Sequence, residues 1–214
     1  MKDFKGAIFD LDGTLLDSMW VWRDIDIRFL AKRGYEVTMD YIEEISAKNF
    51  KAAAEYTIER FKLSENPQDI IEEWHEMACD AYAKEVLLKP GAKQYLYQLK
   101  KRGIKLAVAT ASAESLFKPA LINNGIYDCF ETFVTADEVK RGKGFPDIYI
   151  KAAENLKLEI KDCVVYEDIF KGIEGAKAGN FYTVGIYDKH SEYEQEKIKK
   201  LADLYITDFK QLLD

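Results

Sequence analysis

The chain has 214 residues, with 31 Lys and Arg against 38 Asp and Glu, so its formal net charge is −7. Hydrophobic residues make up 48% and charged residues 32%, a globular balance that excludes low-hydrophobicity disorder and collagen-like sequence. The acidic mean field disfavours nucleic acid and anionic membrane as general partners, but a small phosphorylated molecule is compatible, because local cations dominate within a screening length of about 8 Å.

Near the N-terminus a short apolar run, Gly6 to Phe9, is cut by Asp10. That pattern fits neither a signal peptide nor a membrane span, and a cytoplasmic location is expected. Ala7–Phe9 reads as a buried strand. From Ser18 to about Val86 the pattern turns helical, with apolar residues at helical spacing: Ile25, Phe29 and Leu30, then Ile42 and Ile45, then Ile70, Ile71, Trp74, Met77, Ala78 and Ala81. Residues 16–87 therefore read as an all-α insertion in a core made of residues 1–15 and 88–214. Beyond it, helical stretches (Ala92–Arg102, Ser115–Asn124, Asp147–Leu156, Ile169–Ala178) alternate with apolar strands (Leu106–Ala109, Thr132–Val134, Val164–Tyr166, Tyr182–Ile186). Gly103, Gly125 and Gly179 stand where such helices end. This alternation predicts an α/β fold with a parallel, Rossmann-like sheet that gathers ligands beyond the carboxyl ends of its strands. The charge-rich segment Ser191–Lys200 reads as a solvated helix face. Cys79, Cys129 and Cys163 have no CxxC or zinc-ligand spacing and read as free thiols, with Cys163 a small core residue.

The densest chemical signal is Phe9-Asp10-Leu11-Asp12-Gly13-Thr14-Leu15-Leu16-Asp17-Ser18. Two carboxylates, Asp10 and Asp12, follow an apolar strand. Extended backbone would put them on one side, and Gly13 permits a sharp departure. Asp and Gly are also ordinary turn residues, so a plain turn is the competing reading. Three weaker signals sit at later strand ends. Val108-Ala109-Thr110-Ala111-Ser112 ends in hydroxyls, and Thr110 is as readily a helix cap as a ligand. Lys143, in Arg141-Gly142-Lys143-Gly144-Phe145-Pro146-Asp147, precedes a helix, and alone it reads as a solvated lysine. Val164-Val165-Tyr166-Glu167-Asp168 ends in paired acids, with Gly172 following. Together they place acid, hydroxyl, cation and acid at successive strand ends, and a parallel sheet would gather them into one crevice.

That order resembles the haloacid dehalogenase-like (HAD) superfamily over the whole chain, with the helical insertion at the place of a C1-type cap. The segments Phe9–Ser18, Lys143–Tyr149 and Glu167-Asp168…Gly172-Ile173…Ala176 resemble the β-phosphoglucomutase/phosphatase-like branch. The resemblance implies Asp10 as nucleophile and Asp12 as general acid and base. It implies Mg²⁺ held by Asp10, the Asp12 carbonyl and Asp168, with Glu167 as a ligand or its outer partner. Thr110 and the Ala111 N–H would hold phosphate oxygens, and Lys143 would neutralise charge. The second acid, Asp12, favours phosphoryl transfer to or from an alcohol. This chain departs from the branch at Gly144-Phe145-Pro146, where Pro-x-Pro is frequent.

Sugar phosphomutases of that branch carry a histidine near position 22 and an arginine near position 49. Here Trp22 and Asn49 stand there. Hydrolysis of a small sugar or organic-acid phosphate is therefore favoured over a mutase, and a non-catalytic phospho-ligand binder is a third reading. Trp20, Lys48 and Asn49 are the candidate substrate-facing residues of the cap, with a solvated loop the competing reading for Ser46–Lys51. The hinges are expected near Leu15–Ser18 and Leu87–Pro90. A monomer is the expected state, with a weak dimer as the alternative.

Overall fold

The computed structural model describes residues 3–46, 48 and 50–213. In chain order, β1 (Gly6–Phe9) leads to β2 (Leu16–Asp17), followed by helices α1 (Val21–Ala31), α2 (Met39–Ser46), α3 (Phe50–Phe61) and α4 (Pro67–Lys84). After β3 (Leu87–Leu88) come α5 (Ala92–Lys101), β4 (Lys105–Thr110), α6 (Glu114–Asn123), β5 (Thr132–Thr135) and α7 (Asp147–Asn155). β6 (Cys163–Glu167), α8 (Phe170–Ala178), β7 (Tyr182–Ile186), α9 (Gln195–Leu201) and β8 (Leu204–Ile206) complete the order. The chain divides into two compact units, one through Met19 and from Val86 onward, the other Trp20–Glu85.

The first unit holds a six-stranded sheet in the order β5-β4-β1-β6-β7-β8, and every pairing in it is parallel. The five strands expected from apolar runs are all present, and the sheet is the Rossmann-like α/β core that the alternation predicted. β1 lies between β4 and β6, with Phe9 level with Val108 and Tyr166. Its side chains alternate between two buried layers. Ile8 packs with Val165, Ala107, Tyr149, Ala152 and Phe181. On the other face, Phe9 stacks on Tyr166 at 4.3 Å between ring centroids, and the Tyr95 and Tyr166 hydroxyls meet at 2.6 Å. Burial on both faces explains why these strands read as continuous apolar runs.

Two features go beyond the sequence reading. β8 adds a sixth strand at the sheet edge; its apolar run, Leu204–Ile206, is only three residues long and follows a charged helix. The charged segment before it forms α9, whose Ile198 is buried, so it is a helix with one apolar anchor as well as a solvated face. β2 pairs antiparallel with β3, where the chain leaves this unit and returns to it. Just beyond, the Lys89 N–H donates to the Leu15 carbonyl at 2.8 Å, and the Lys89 ammonium pairs with buried Asp188 at 2.5 Å.

Residues Trp20–Glu85 form a helical unit of their own, in which α4 packs on both α1 and α3. α4 starts as its sequence dictates. The Asn66 side chain accepts from the Asp69 N–H at 3.1 Å, and Pro67 occupies the first turn. Its buried face repeats as Ile70, Trp74, Ala78, Ala81 and Tyr82. Just past the end of α1, Arg33 lies 3.7 Å from the Phe29 ring centroid and binds Glu65 and Glu73 at 2.7 and 2.6 Å. Among the described residues, no helix is long and apolar enough to cross a membrane.

Asp26 is half-buried in α1, and burial raises its carboxyl to about 7 from an ordinary 3.8. Below about pH 4 the folded and unfolded chains both hold the proton there, so the group is neutral to stability. As the pH rises towards 7 the unfolded chain ionises first, and the fold loses stability that it does not regain at higher pH. Asp26→Asn is therefore expected to raise the melting temperature by ~5 °C at pH 8 and hardly at all at pH 3.5, as followed by circular dichroism.

Candidate active site

The loop after β1 does not continue extended. The Leu11 carbonyl accepts from the amides of Thr14, Leu15 and Leu16 at 3.1, 2.9 and 2.8 Å, so the chain curls around it. The strand therefore stops at Phe9, and Asp10 and Asp12 stand in a curled loop rather than alternating along a strand. Asp10 is buried, and its N–H donates to the Tyr166 carbonyl at 3.1 Å, which keeps the loop level with the end of β6. Gly13 has φ +80°, and a Cβ there would overlap the Asp168 carboxylate. The turn thus needs glycine both for its dihedral and for close approach to the second acid site.

Three of the predicted acids converge. Asp10, Glu167 and Asp168 are all buried, and each offers an oxygen within 4.8 Å of the others. Lys143 comes from the loop before α7, and its ammonium pairs with Asp10 Oδ1 and, at 2.8 Å, with Glu167 Oε1. Thr14 Oγ1 lies 3.2 Å from Asp10 Oδ2 and 3.0 Å from Asp168 Oδ1, so its one proton bridges two carboxylates. The Tyr149 hydroxyl donates to Glu167 Oε1 at 2.7 Å. Glu167 Oε2 is buried with no hydrogen-bond partner among the described residues.

The electrostatics follow from this crowding. Burial pushes Asp10 well above the usual carboxylate range. Lys143 opposes that shift, and Glu167, Asp168 and Asp12 add to it. Burial and the Glu167 charge raise Asp168 to about 7, with Lys143 and the Thr14 hydrogen bond acting in the other direction. Burial alone would lower Lys143, but Asp10 and Glu167 outweigh it and hold the ammonium charged.

The remaining predicted residues lie as follows. The Asp12 carboxylate is not in the three-acid group; its Oδ1 accepts from the Ser18 hydroxyl at 2.6 Å. Thr110 is buried at the end of β4, and its hydroxyl accepts from the Ser112 N–H at 3.0 Å, which turns the backbone at Ala111. Lys48 pairs with Glu44 at 2.7 Å and lies 5.2 Å from the Tyr56 ring centroid. Trp20 precedes α1 and is half-buried. Asn49 lies outside the described residues.

Four contributors were not singled out from sequence. Thr14 and Ser18 lie inside the Asp10 motif, so their place in it was the available signal. Tyr149 faces Glu167 from the inward side of α7, and nothing local marks that contact. Glu194, from the charged tail, accepts from the first amide of α8 at 3.2 Å and so caps the helix that follows Asp168.

A haloacid dehalogenase-like hydrolase family model matches residues 7–186. The chain is 30% identical over 184 residues to hexitol phosphatase A of Escherichia coli (strain K12), covering 85% of this chain and 82% of that protein. It is 29% identical over 181 residues to a bifunctional riboflavin kinase/FMN phosphatase of Arabidopsis thaliana, covering 84% of this chain. The match spans 48% of that relative, about half its length. Among solved structures, a Thermotoga maritima protein provisionally designated a β-phosphoglucomutase shares the fold, with a TM-score of 0.84, 24% identity and 94% of each chain covered.

Removing the Tyr149 hydroxyl strips the buried Glu167 of a hydrogen bond without opening a cavity. Tyr149→Phe is expected to cost about 1–3 kcal/mol, read as a lower midpoint in urea unfolding with an unchanged m-value.

Proposed function

The chain belongs to the haloacid dehalogenase-like hydrolase family, and from that premise we propose that it is a Mg²⁺-dependent phosphoric monoester hydrolase. Its substrate is a small phosphorylated metabolite, a sugar, polyol or organic-acid phosphate, cleaved through an aspartyl-phosphate. The observation that carries this reading is the Asp10 environment. A buried carboxylate is engaged by Lys143 at one oxygen and by Thr14 at the other, beside two further acids.

The residues fit a divalent cation. Three buried carboxylates face one ammonium, two of them have strongly raised pKa values, and one Glu167 oxygen lacks any partner among the described residues. An all-oxygen donor set suits Mg²⁺. Asp10, Asp168 and the Asp12 carbonyl would hold it, with Glu167 as a ligand or as the partner that orients the others. When bound, it would screen the repulsion between an anionic nucleophile and an anionic phosphate.

The chain's own groups then divide the work. An Asp10 oxygen attacks phosphorus and the ester P–O bond breaks, giving an acyl phosphate that is readily hydrolysed. Asp12 gives its proton to the departing alcohol oxygen. As a carboxylate it then takes a proton from the water that attacks the phospho-enzyme, which releases phosphate and restores Asp10. The Ser18 hydroxyl bond to Asp12 Oδ1 orients that acid. Lys143 offsets the charge that builds up on the transferring group, and Thr110 with the Ala111 N–H binds its oxygens. The resemblance assigns the helical unit Trp20–Glu85 the part of a cap, which would exclude bulk water during the first step. Trp22 packs edge-on to Phe50 at 5.3 Å, so an apolar contact occupies the place where the resembled mutases carry histidine. Without that histidine, hydrolysis is favoured over transfer to a second sugar hydroxyl.

Purified protein is expected to release phosphate from p-nitrophenyl phosphate with Mg²⁺ and to lose that activity in excess EDTA. Asp10→Asn is expected to abolish turnover, and Asp12→Asn to lower kcat by about 10²–10⁴-fold. A wild-type protein that is inert towards a panel of phosphate monoesters, or an Asp10→Asn variant as active as wild type, overturns the reading.

A further inference from the structure

Gly175 lies buried in the middle of α8, where glycine costs a helix stability relative to alanine. A Cβ built there would overlap the Lys143 carbonyl oxygen, and it would lie 2.8 Å from the Phe145 carbonyl oxygen and 3.0 Å from the Phe145 nitrogen. All three are backbone atoms, so no side-chain rotation relieves the overlap. The helix and the loop can meet at this distance only over a glycine.

The loop that meets α8 is the one that delivers Lys143. It is a tight turn, with the Phe145 N–H donating to the Gly142 carbonyl at 2.9 Å. Its outer side is closed by Arg141, which binds Asp147 at 3.1 and 2.7 Å and lies 4.5 Å from the Phe145 ring centroid. Its inner side rests on α8. The helix is itself fixed against the acids: a Cβ at Gly172 would run into the Glu167 carboxylate, and Glu194 caps the first amide. One helix therefore gauges the depth of both the Glu167 carboxylate and the Lys143 backbone.

We propose that Gly175 is a positioning residue: its bare backbone sets how deep the 142–146 loop sits, and so holds the Lys143 ammonium between Asp10 and Glu167. The usual Pro-x-Pro of the resembled branch is replaced here by Gly144-Phe145-Pro146, which leaves one proline fewer to stiffen the loop. Contact with α8 supplies the constraint instead. The overlap with a methyl group forces a shift of roughly 1 Å, and a misplacement of that size in a charge-neutralising group costs about 100-fold in rate.

The kinetic consequence rests on the hydrolase reading above, but the position of Lys143 does not, so the test has two arms. In the first, brief acylation with acetic anhydride is followed by mass spectrometry of each lysine, which needs no activity. In Gly175→Ala, Lys143 is expected to react about tenfold faster than in wild type, with Lys171 and Lys177 on the same helix unchanged within about twofold. In the second arm, kcat for p-nitrophenyl phosphate is expected to fall about 100-fold, with KM changed less than about threefold. Unchanged Lys143 labelling in a folded Gly175→Ala protein overturns the proposal. So does equal acceleration at Lys171 and Lys177, which would mark general loosening. Arg141→Ala removes only the exposed outer clamp and keeps the test decisive should Gly175→Ala not fold. Lys143 labelling within about twofold of wild type supports α8 as the seat of the loop, and a tenfold rise assigns that role to Arg141 instead. Absence of phosphate release by the wild type would sink the hydrolase reading and leave the labelling result standing.

Discussion

Like charges confined at the carboxyl ends of β1 and β6 are the constraint around which this molecule is organised. Asp10, Glu167 and Asp168 are buried within reach of one another, and Lys143 is the cation set among them. Carboxylates in that position repel each other and resist ionisation unless cations and hydrogen-bond donors are held firmly in place. Much of the surrounding structure supplies that hold. Thr14 bridges two of the acids, Tyr149 donates to the third, and Gly13 and Gly172 leave room for carboxylates where any side chain would intrude.

The sheet explains why these groups meet. From β1 the strand order runs to β4 and β5 on one side and to β6, β7 and β8 on the other, so the direction of winding reverses beside β1. Crossover connections diverge at such a point and leave a crevice outside the strand ends. Asp10 follows β1, and Glu167 ends β6 next to it. One residue below them, Phe9 stacks on Tyr166, and the Tyr166 hydroxyl meets that of Tyr95. This aromatic layer ties the two strands in register at the level where the acids emerge, and a slip of one residue would turn the Glu167 carboxylate to the other face.

Legibility from sequence followed the length and burial of each element. β1, β4, β6 and β7 are apolar runs because they are covered on both faces, β5 at the sheet edge is marked by Phe133 and Val134, and α4 announces itself through its 3.6-residue apolar repeat. β8 is an edge strand whose apolar run, Leu204–Ile206, is too short to show a period, and its parallel pairing with β7 fixes it as a strand. The β2–β3 ribbon joins residues on either side of the helical segment, and two-residue strands carry no period to read. Among the site residues, Asp10, Glu167 and Asp168 stood out because charge next to an apolar strand end is conspicuous, whereas Lys143, in the loop before α7, gained meaning only from its place in the order of motifs. Tyr149 carries no local mark of its role, which lies in the bond from its hydroxyl to Glu167, a residue 18 positions away.

What the amino-acid sequence determined by itself was the kind of fold and the chemical types available at its strand ends. Hydrophobic periodicity dictates elements, and an acid or lysine that follows a buried strand must end up at its mouth. Only the tertiary structure decided which of those groups touch. That Thr14 spans Asp10 and Asp168, that one Glu167 oxygen is left without a partner among the described residues, and that Gly175 bears on the Lys143 backbone are facts of distance between segments far apart in the chain. Such distances are set by how helices seat on a sheet, through close packing that no local pattern of residues records.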